Sequence, residues 1–285
     1  MLDRRLLLVS GKGGVGKSAV ATSLALSAAR HGKRVLLLGM VDGLGLAVHL
    51  GVDELGAKPR ETSAGVFAAA IDRGVAFDEY LKLQLRVPKA APTGQFSKAL
   101  NVLIETAPGI REIISMGKPI FEAQSRHWDL VIVDAPPVGQ LISYLRAPAT
   151  VARIVPTGAI QDQAQSMQRY LARAERTGLV LVTIPEELPI VETIEALDEL
   201  AEEPLIDLAT VVANRVLPPL DVSPDVVAAL PATPLRDAAD LHQTLYAHQA
   251  HWLGPLGDAV RLPHLFGLLT PGEVAARLSE EWDAL

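Results

Sequence analysis

Short apolar runs alternate with stretches of helical spacing along most of this chain. Leu6–Val9, Val35–Leu38, Leu130–Val133, Leu179–Ile184 and Leu208–Ala213 carry no charge and span four to six residues each. Runs this short, with no polar alternation, suit strands covered on both faces of a parallel sheet. The segments between them read as helices. Ser18–His31 is closed by Gly32, and Pro189–Ala201 places Ile190, Val191, Ile194, Leu197 and Leu200 opposite Glu192, Glu195 and Asp198. Thr270–Leu285 has a cap residue followed by Pro271 at the first helical position. The alternation predicts a doubly wound α/β fold with a mostly parallel sheet. Residues 52–100 and 217–262 have weaker patterns and are read as mixed helix and loop. No linker interrupts the chain, so one domain over 1–285 is expected, with small helical insertions near 52–125 and 146–176.

Composition narrows the chemistry. The 285 residues carry 26 basic and 33 acidic side chains, a formal charge of −7, with 49% hydrophobic residues. That balance supports a packed core and argues against disorder. It also argues against nucleic-acid binding, which needs an excess of Lys and Arg to displace phosphate counterions. The absence of cysteine removes disulfides, thiolate zinc sites and cysteine nucleophiles. No apolar segment approaches the roughly 18 residues of a membrane span, and a cytoplasmic chain is expected.

Gly11-Lys12-Gly13-Gly14-Val15-Gly16-Lys17-Ser18 fits G-x-x-x-x-G-K-[ST], and it lies between a predicted strand and a predicted helix, the context this motif requires. Glycines let successive backbone N–H groups wrap an anion, and the helix N-terminus beginning near Ala19 adds positive partial charge. Lys17 is positioned to reach β and γ phosphates, and the Ser18 hydroxyl to ligand Mg²⁺. Asp134 ends the third apolar run. A carboxylate there is where Mg²⁺, or its bound water, needs an acceptor, although an aspartate in that place also serves as a turn former. ATP or ADP with Mg²⁺ is therefore the expected cofactor set.

The extra lysine, Lys12, resembles the deviant Walker A loop of a class of dimeric P-loop ATPases that includes partition, division-site, nitrogenase-reductase and arsenite-pump proteins. The resemblance implies that Lys12 reaches across a dimer to the partner's nucleotide. More segments narrow the class. Asp134-Ala135-Pro136-Pro137-Val138-Gly139, with Leu145 and Pro148 beyond, resembles the switch II segment of the arsenite-transporting and tail-anchored-protein-targeting ATPases. Pro108-Gly109-Ile110-Arg111-Glu112, Thr183-Ile184-Pro185-Glu186-Glu187, Val211–Pro218 and Leu262–Phe266 are similar to further family segments in the same order. The resemblance implies that Asn214, Arg215 and Pro263 contact the base. An amide both donates and accepts, matching adenine N6 and N7, whereas its plain alternative is a strand-end turn former.

The chain also departs from the family. Its switch I region reads Leu38-Gly39-Met40-Val41-Asp42-Gly43-Leu44, similar to short actinobacterial-type members with V-E-G or V-D-G. Asp42 is then the candidate for orienting the attacking water, or else a turn residue without catalytic duty. Gln140 stands where the family has histidine. No C-x-x-C is present for a zinc clasp or arsenite ligation, and the interval from Leu145 to Leu179 has room for one or two helices only. The resemblance implies an ATPase that works as a homodimer, or as a heterodimer with a related ATPase, and signals to a protein client or membrane partner. Two alternatives stay open, a non-hydrolysing regulatory subunit and a partition or division-site ATPase. The second wants a basic terminal helix, yet this chain reads Glu280-Glu281-Trp282-Asp283. His242, His248 and His251 are read as packing or solvated residues beside Tyr246 and Trp252. Glu192, Glu195 and Glu199 are read as the wet face of their helix.

Overall fold

Strand β1, Leu6–Gly11, is wholly buried, and its side chains divide between two cores. Leu6 and Leu8 join one cluster, whereas Leu7 and Val9 join the other, because successive strand residues face opposite sides of the sheet. The same division recurs in β2 (Val35–Gly39), β5 (Leu130–Asp134) and β6 (Thr177–Thr183). Runs rich in leucine would otherwise favour helix, but burial on both faces decides for strand. The computed structural model describes residues 1–41, 43–62, 65–71, 109–155 and 157–284, with the backbone alone for Ile110.

The described strands form one eight-stranded sheet in the order β3-β4-β2-β5-β1-β6-β7-β8, with β7 at Leu208–Val216 and β8 at Val260–Pro263. Every pairing is parallel except β3 (Arg60–Glu61) with β4 (Phe67–Ala70). All five expected strands are present. Three elements correct the expectation for the weakly patterned regions, because β3, β4 and β8 are strands where mixed helix and loop is expected. The sequence Phe67-Ala68-Ala69-Ala70 has little β preference of its own, and its pairing with β2 holds it extended. Arg60–Glu61 and Phe67–Ala70 thus belong to the sheet. Residues 72–108, the middle of the first expected insertion, lie outside the described residues.

Helices cover both faces. On one side lie α3 (Ile110–Gln124), α4 (Val138–Ile154), α5 (Ala159–Leu171) and α6 (Glu187–Glu202), with Ile113, Met116, Leu141, Met167 and Leu200 in the same core. The described helices of the 146–176 segment pack within this layer. On the other side lie α1 (Lys17–Arg30), α2 (Leu44–Leu50) and α9 (Pro271–Asp283), contributing Val20, Leu24, Leu46, Leu278 and Trp282. Short α7 (Pro224–Ala228) and exposed α8 (Pro234–Leu253) connect β7 to β8. Helix α6 buries Ile190, Thr193, Ala196 and Leu200 and leaves Val191 exposed, so its apolar stripe is rotated slightly from the expected one. Among the described residues no helix is long and apolar enough to cross a membrane.

Helix α9 is capped at its start and fastened to α1 at its end. Thr270 and Glu273 form a reciprocal capping box, and Asp283 accepts from Ser27 Oγ at 2.7 Å and from Arg30. The Thr270 backbone N–H, then its hydroxyl, holds the Glu273 carboxyl below the usual range. The Ser27 hydroxyl, then Arg30, does the same for Asp283. Carboxyls depressed in this way contribute stability that is whole above the ordinary carboxylate range and is lost as pH falls through their lowered values. The hydrogen-exchange protection factors of the Val274–Asp283 amides are therefore expected to fall below about pH 4, with a smaller acid step in Asp283→Asn. An acid step of equal size in that variant would show that the contact contributes nothing.

Candidate functional site

The loop from Gly11 to Ser18 follows β1 and leads into α1, at the carboxyl edge of the sheet where strand order reverses. Its glycines are required by shape. Gly14 and Gly16 have φ of 87° and 93°, a region that penalises side chains. A Cβ on Gly11 would lie 1.9 Å from the Val182 carbonyl oxygen, and one on Gly16 would lie 2.4 Å from Asn214 Nδ2. Lys17 is half-buried, and burial lowers the pKa of its ammonium, a shift that Asp134 partly opposes. Its Nζ donates to the Lys12 carbonyl at 3.0 Å.

Beneath the loop, Ser18 Oγ donates to Asp134 Oδ2 at 2.5 Å. Asp134 reaches this position as the last residue of β5, in register with Val9 of β1 and Gly39 of β2. A hydroxyl and a carboxylate converging at the start of a phosphate loop are hard oxygen donors of the kind Mg²⁺ takes, usually with waters and phosphates completing its shell. Helix α2 closes on the same pair, for a Cβ on Gly45 would lie 2.6 Å from Ser18 Oγ and 4.0 Å from Asp134 Oδ2. The turn before it is equally tight, with the position of a Gly39 Cβ 2.6 Å from Gly43 Cα. Asp42, the expected water-orienting residue, lies outside the described residues.

A cleft of about 330 Å³ opens beside the loop and is lined by Gly16, Ala19, Asn214, Arg215, Pro263 and neighbours. Five of the expected nucleotide-contacting residues thus share one concavity, although they come from α1, β7 and β8 and the loop between. Asn214 is buried and doubly engaged. Its Nδ2 donates to the Val15 carbonyl at 2.9 Å, and its Oδ1 accepts the Arg215 N–H. One N–H and one lone pair of the amide remain for a ligand. Arg215 has φ of 59°, the one described non-glycine residue in the left-handed region. Such backbone strain is typical of functional sites. Gln249 of α8 brackets this turn, accepting from Leu217 N and donating to Arg215 O.

Several participants escape a reading of the sequence. Ser10 Oγ donates to the Pro136 carbonyl at 2.7 Å and so ties the loop to the segment after β5. His49, Leu269 and Val274 line the cleft but carry no motif of their own. Glu192, expected on a wet helix face, accepts from Lys12 Nζ, and Glu199 pairs with Arg146. The helix-face reading missed both because the partners lie far away in sequence. Gln140 is exposed near the start of α4. Among the described residues no three His, Asp or Glu side chains converge as a metal cluster. His248 and His251 instead pack edge-on against Trp252.

Comparison with known proteins agrees with this geometry. Residues 4–160 and 155–229 match the anion-transporting ATPase family. The chain is 34% identical over 226 residues to ATPase BagA of Mycobacterium tuberculosis, a match covering 75% of this chain and 66%, or just under two thirds, of that relative. It is 26% identical over 259 residues to ATPase GET3 of Podospora anserina, covering 77% of this chain and 76% of the relative. The family match spans more than half of the sequence, including the phosphate loop, Asp134 and Asn214. On that basis this chain belongs to the anion-transporting ATPase family.

Proposed function

We propose that this chain binds Mg·ATP and hydrolyses it as a nucleotide-gated dimer, passing its conformational state to a protein client or membrane partner. The observation that carries the reading is the Ser18–Asp134 pair beneath a glycine-shaped loop, with an adjoining cleft of about 330 Å³. The family and its relatives named as ATPases support it. In this reading the chain works in the cytoplasm.

The roles follow from placement. Loop amides from Gly13 to Ala19 and the Lys17 ammonium hold the phosphates, and Gly11 lets the loop leave the sheet edge. Partial burial of Lys17 strengthens its attraction for an anion, since fewer waters compete there. Ser18 and Asp134 hold Mg²⁺, which when bound neutralises charge on the β and γ phosphates. Asn214, Arg215 and Pro263 border the base. Lys12 acts on the partner's nucleotide as a cation supplied in trans, and Asp42 orients the attacking water. The approach of Gly45 to Ser18 Oγ supports that last role, because it brings the segment just after Asp42 against the metal-holding pair.

Steady-state ATP turnover with Mg²⁺, measured over a range of protein concentrations, tests the reading. The rate per chain is expected to rise with concentration and to fall by about 10²-fold or more in Asp42→Asn. A rate independent of concentration, together with a monomeric mass under the same conditions, removes the dimer. Tight ATP binding without turnover makes the chain a non-hydrolysing regulatory subunit instead.

A further inference from the structure

Lys12 is held at both ends within its own chain. Lys17 Nζ donates to its carbonyl at 3.0 Å, and its own Nζ donates to Glu192 Oε1. Glu192 stands in the second turn of α6, which follows β6 directly. The crowding of Gly11 against Val182 presses the start of the loop onto the end of β6. That contact places the first turns of α6 within reach of Lys12. A lysine paired to a carboxylate of its own chain cannot at the same time serve a second chain.

We infer that Glu192 is a positioning residue for Lys12, a latch that keeps the lysine on its own subunit until two nucleotide-loaded chains meet. The inference rests on the dimeric reading above. Phosphate competes for Lys17 more strongly than a neutral carbonyl does, because a hydrogen bond between two charged groups is roughly twice as strong. Nucleotide binding therefore releases the backbone hold on Lys12 and leaves the Glu192 pair as the remaining restraint. That pair must be weak enough to open. Its side chains are 29% and 40% exposed, and pairs this exposed shift an equilibrium by only about two- to fivefold. Two latches open for each dimer formed from identical chains, so the factors multiply to about four- to 25-fold in the association midpoint.

Association of the full chain with Mg²⁺ and a slowly hydrolysed ATP analogue, followed by analytical ultracentrifugation, tests this. Glu192→Gln is expected to move the midpoint to lower concentration by about four- to 25-fold, with the thermal unfolding midpoint unchanged. Glu195→Gln removes the same charge from an exposed site one turn-face away on α6, and it is expected to move the association midpoint less than twofold. Equal shifts in the two variants, or none in Glu192→Gln, overturn the latch and leave the dimer intact. A native chain that does not associate with the analogue overturns the dimeric reading, and the latch with it.

Discussion

Lys12→Ala is expected to lower ATP turnover by about 10³-fold while ATP binding stays within a few fold of the native chain. The split between binding and turnover arises from where the side chain sits. On the proposed reading Lys17, the loop amides, Ser18 and Asp134 serve the nucleotide of their own chain, whereas the Lys12 ammonium points toward Glu192 on α6. On that reading, truncating Lys12 removes no phosphate contact made by its own side chain within its own chain. What it removes, on the dimeric reading, is positive charge at the partner's phosphates, where negative charge shifts during transfer. A cation supplied in trans at that point is worth about 10³ to 10⁵ in rate in other P-loop enzymes, and a flexible lysine belongs at the lower end. Parallel measurement of fluorescent-nucleotide binding and steady-state turnover checks the prediction. Equal losses in both would place Lys12 among the ordinary binding residues, and unchanged turnover would remove its catalytic role.

The second large effect concerns stability. Trp282→Ala is expected to cost about 3–5 kcal/mol, the range for truncating a buried aromatic side chain. Trp282 is buried in the core shared by α1, α2 and α9, and its indole N–H donates to Ser23 Oγ at 2.9 Å. Its loss leaves a cavity against α1, the helix whose first residues carry Lys17 and Ser18. Urea unfolding monitored by far-ultraviolet circular dichroism checks the magnitude, and nucleotide binding measured in the absence of urea checks the consequence. A loss below about 1 kcal/mol would mean that α9 docks without this anchor. Trp282→Phe retains most of the apolar volume and is expected to recover much of the stability.

Much of the architecture is legible before any coordinates. The five uncharged runs have the length and two-sided burial of parallel strands, and Thr270 with Pro271 marks the start of α9 at the position found. The phosphate loop is legible because its chemistry is local, with glycines, a lysine and a hydroxyl within eight consecutive residues. Asp134 is nearly as clear, since an apolar strand delivers its last residue to the sheet edge. The three unexpected strands are of another kind. Glu61, Ala68 and Arg261 have no strong strand preference, and the neighbouring strands supply the hydrogen bonds that hold them extended.

Sequence by itself determined the elements whose signals are short in range: strand runs, helix caps, the glycine-shaped loop and the likeness of ordered motifs to one ATPase family. Tertiary structure decided the pairings that no spacing encodes. It brought Asn214 to Val15, Ser10 to Pro136, Gly45 to Ser18, and Lys12 to Glu192 across 180 positions. The physical reason is that local preference depends on neighbours along the chain. Contacts between distant side chains depend instead on strand order and on how closely two backbones approach, and packing of the whole sheet sets both.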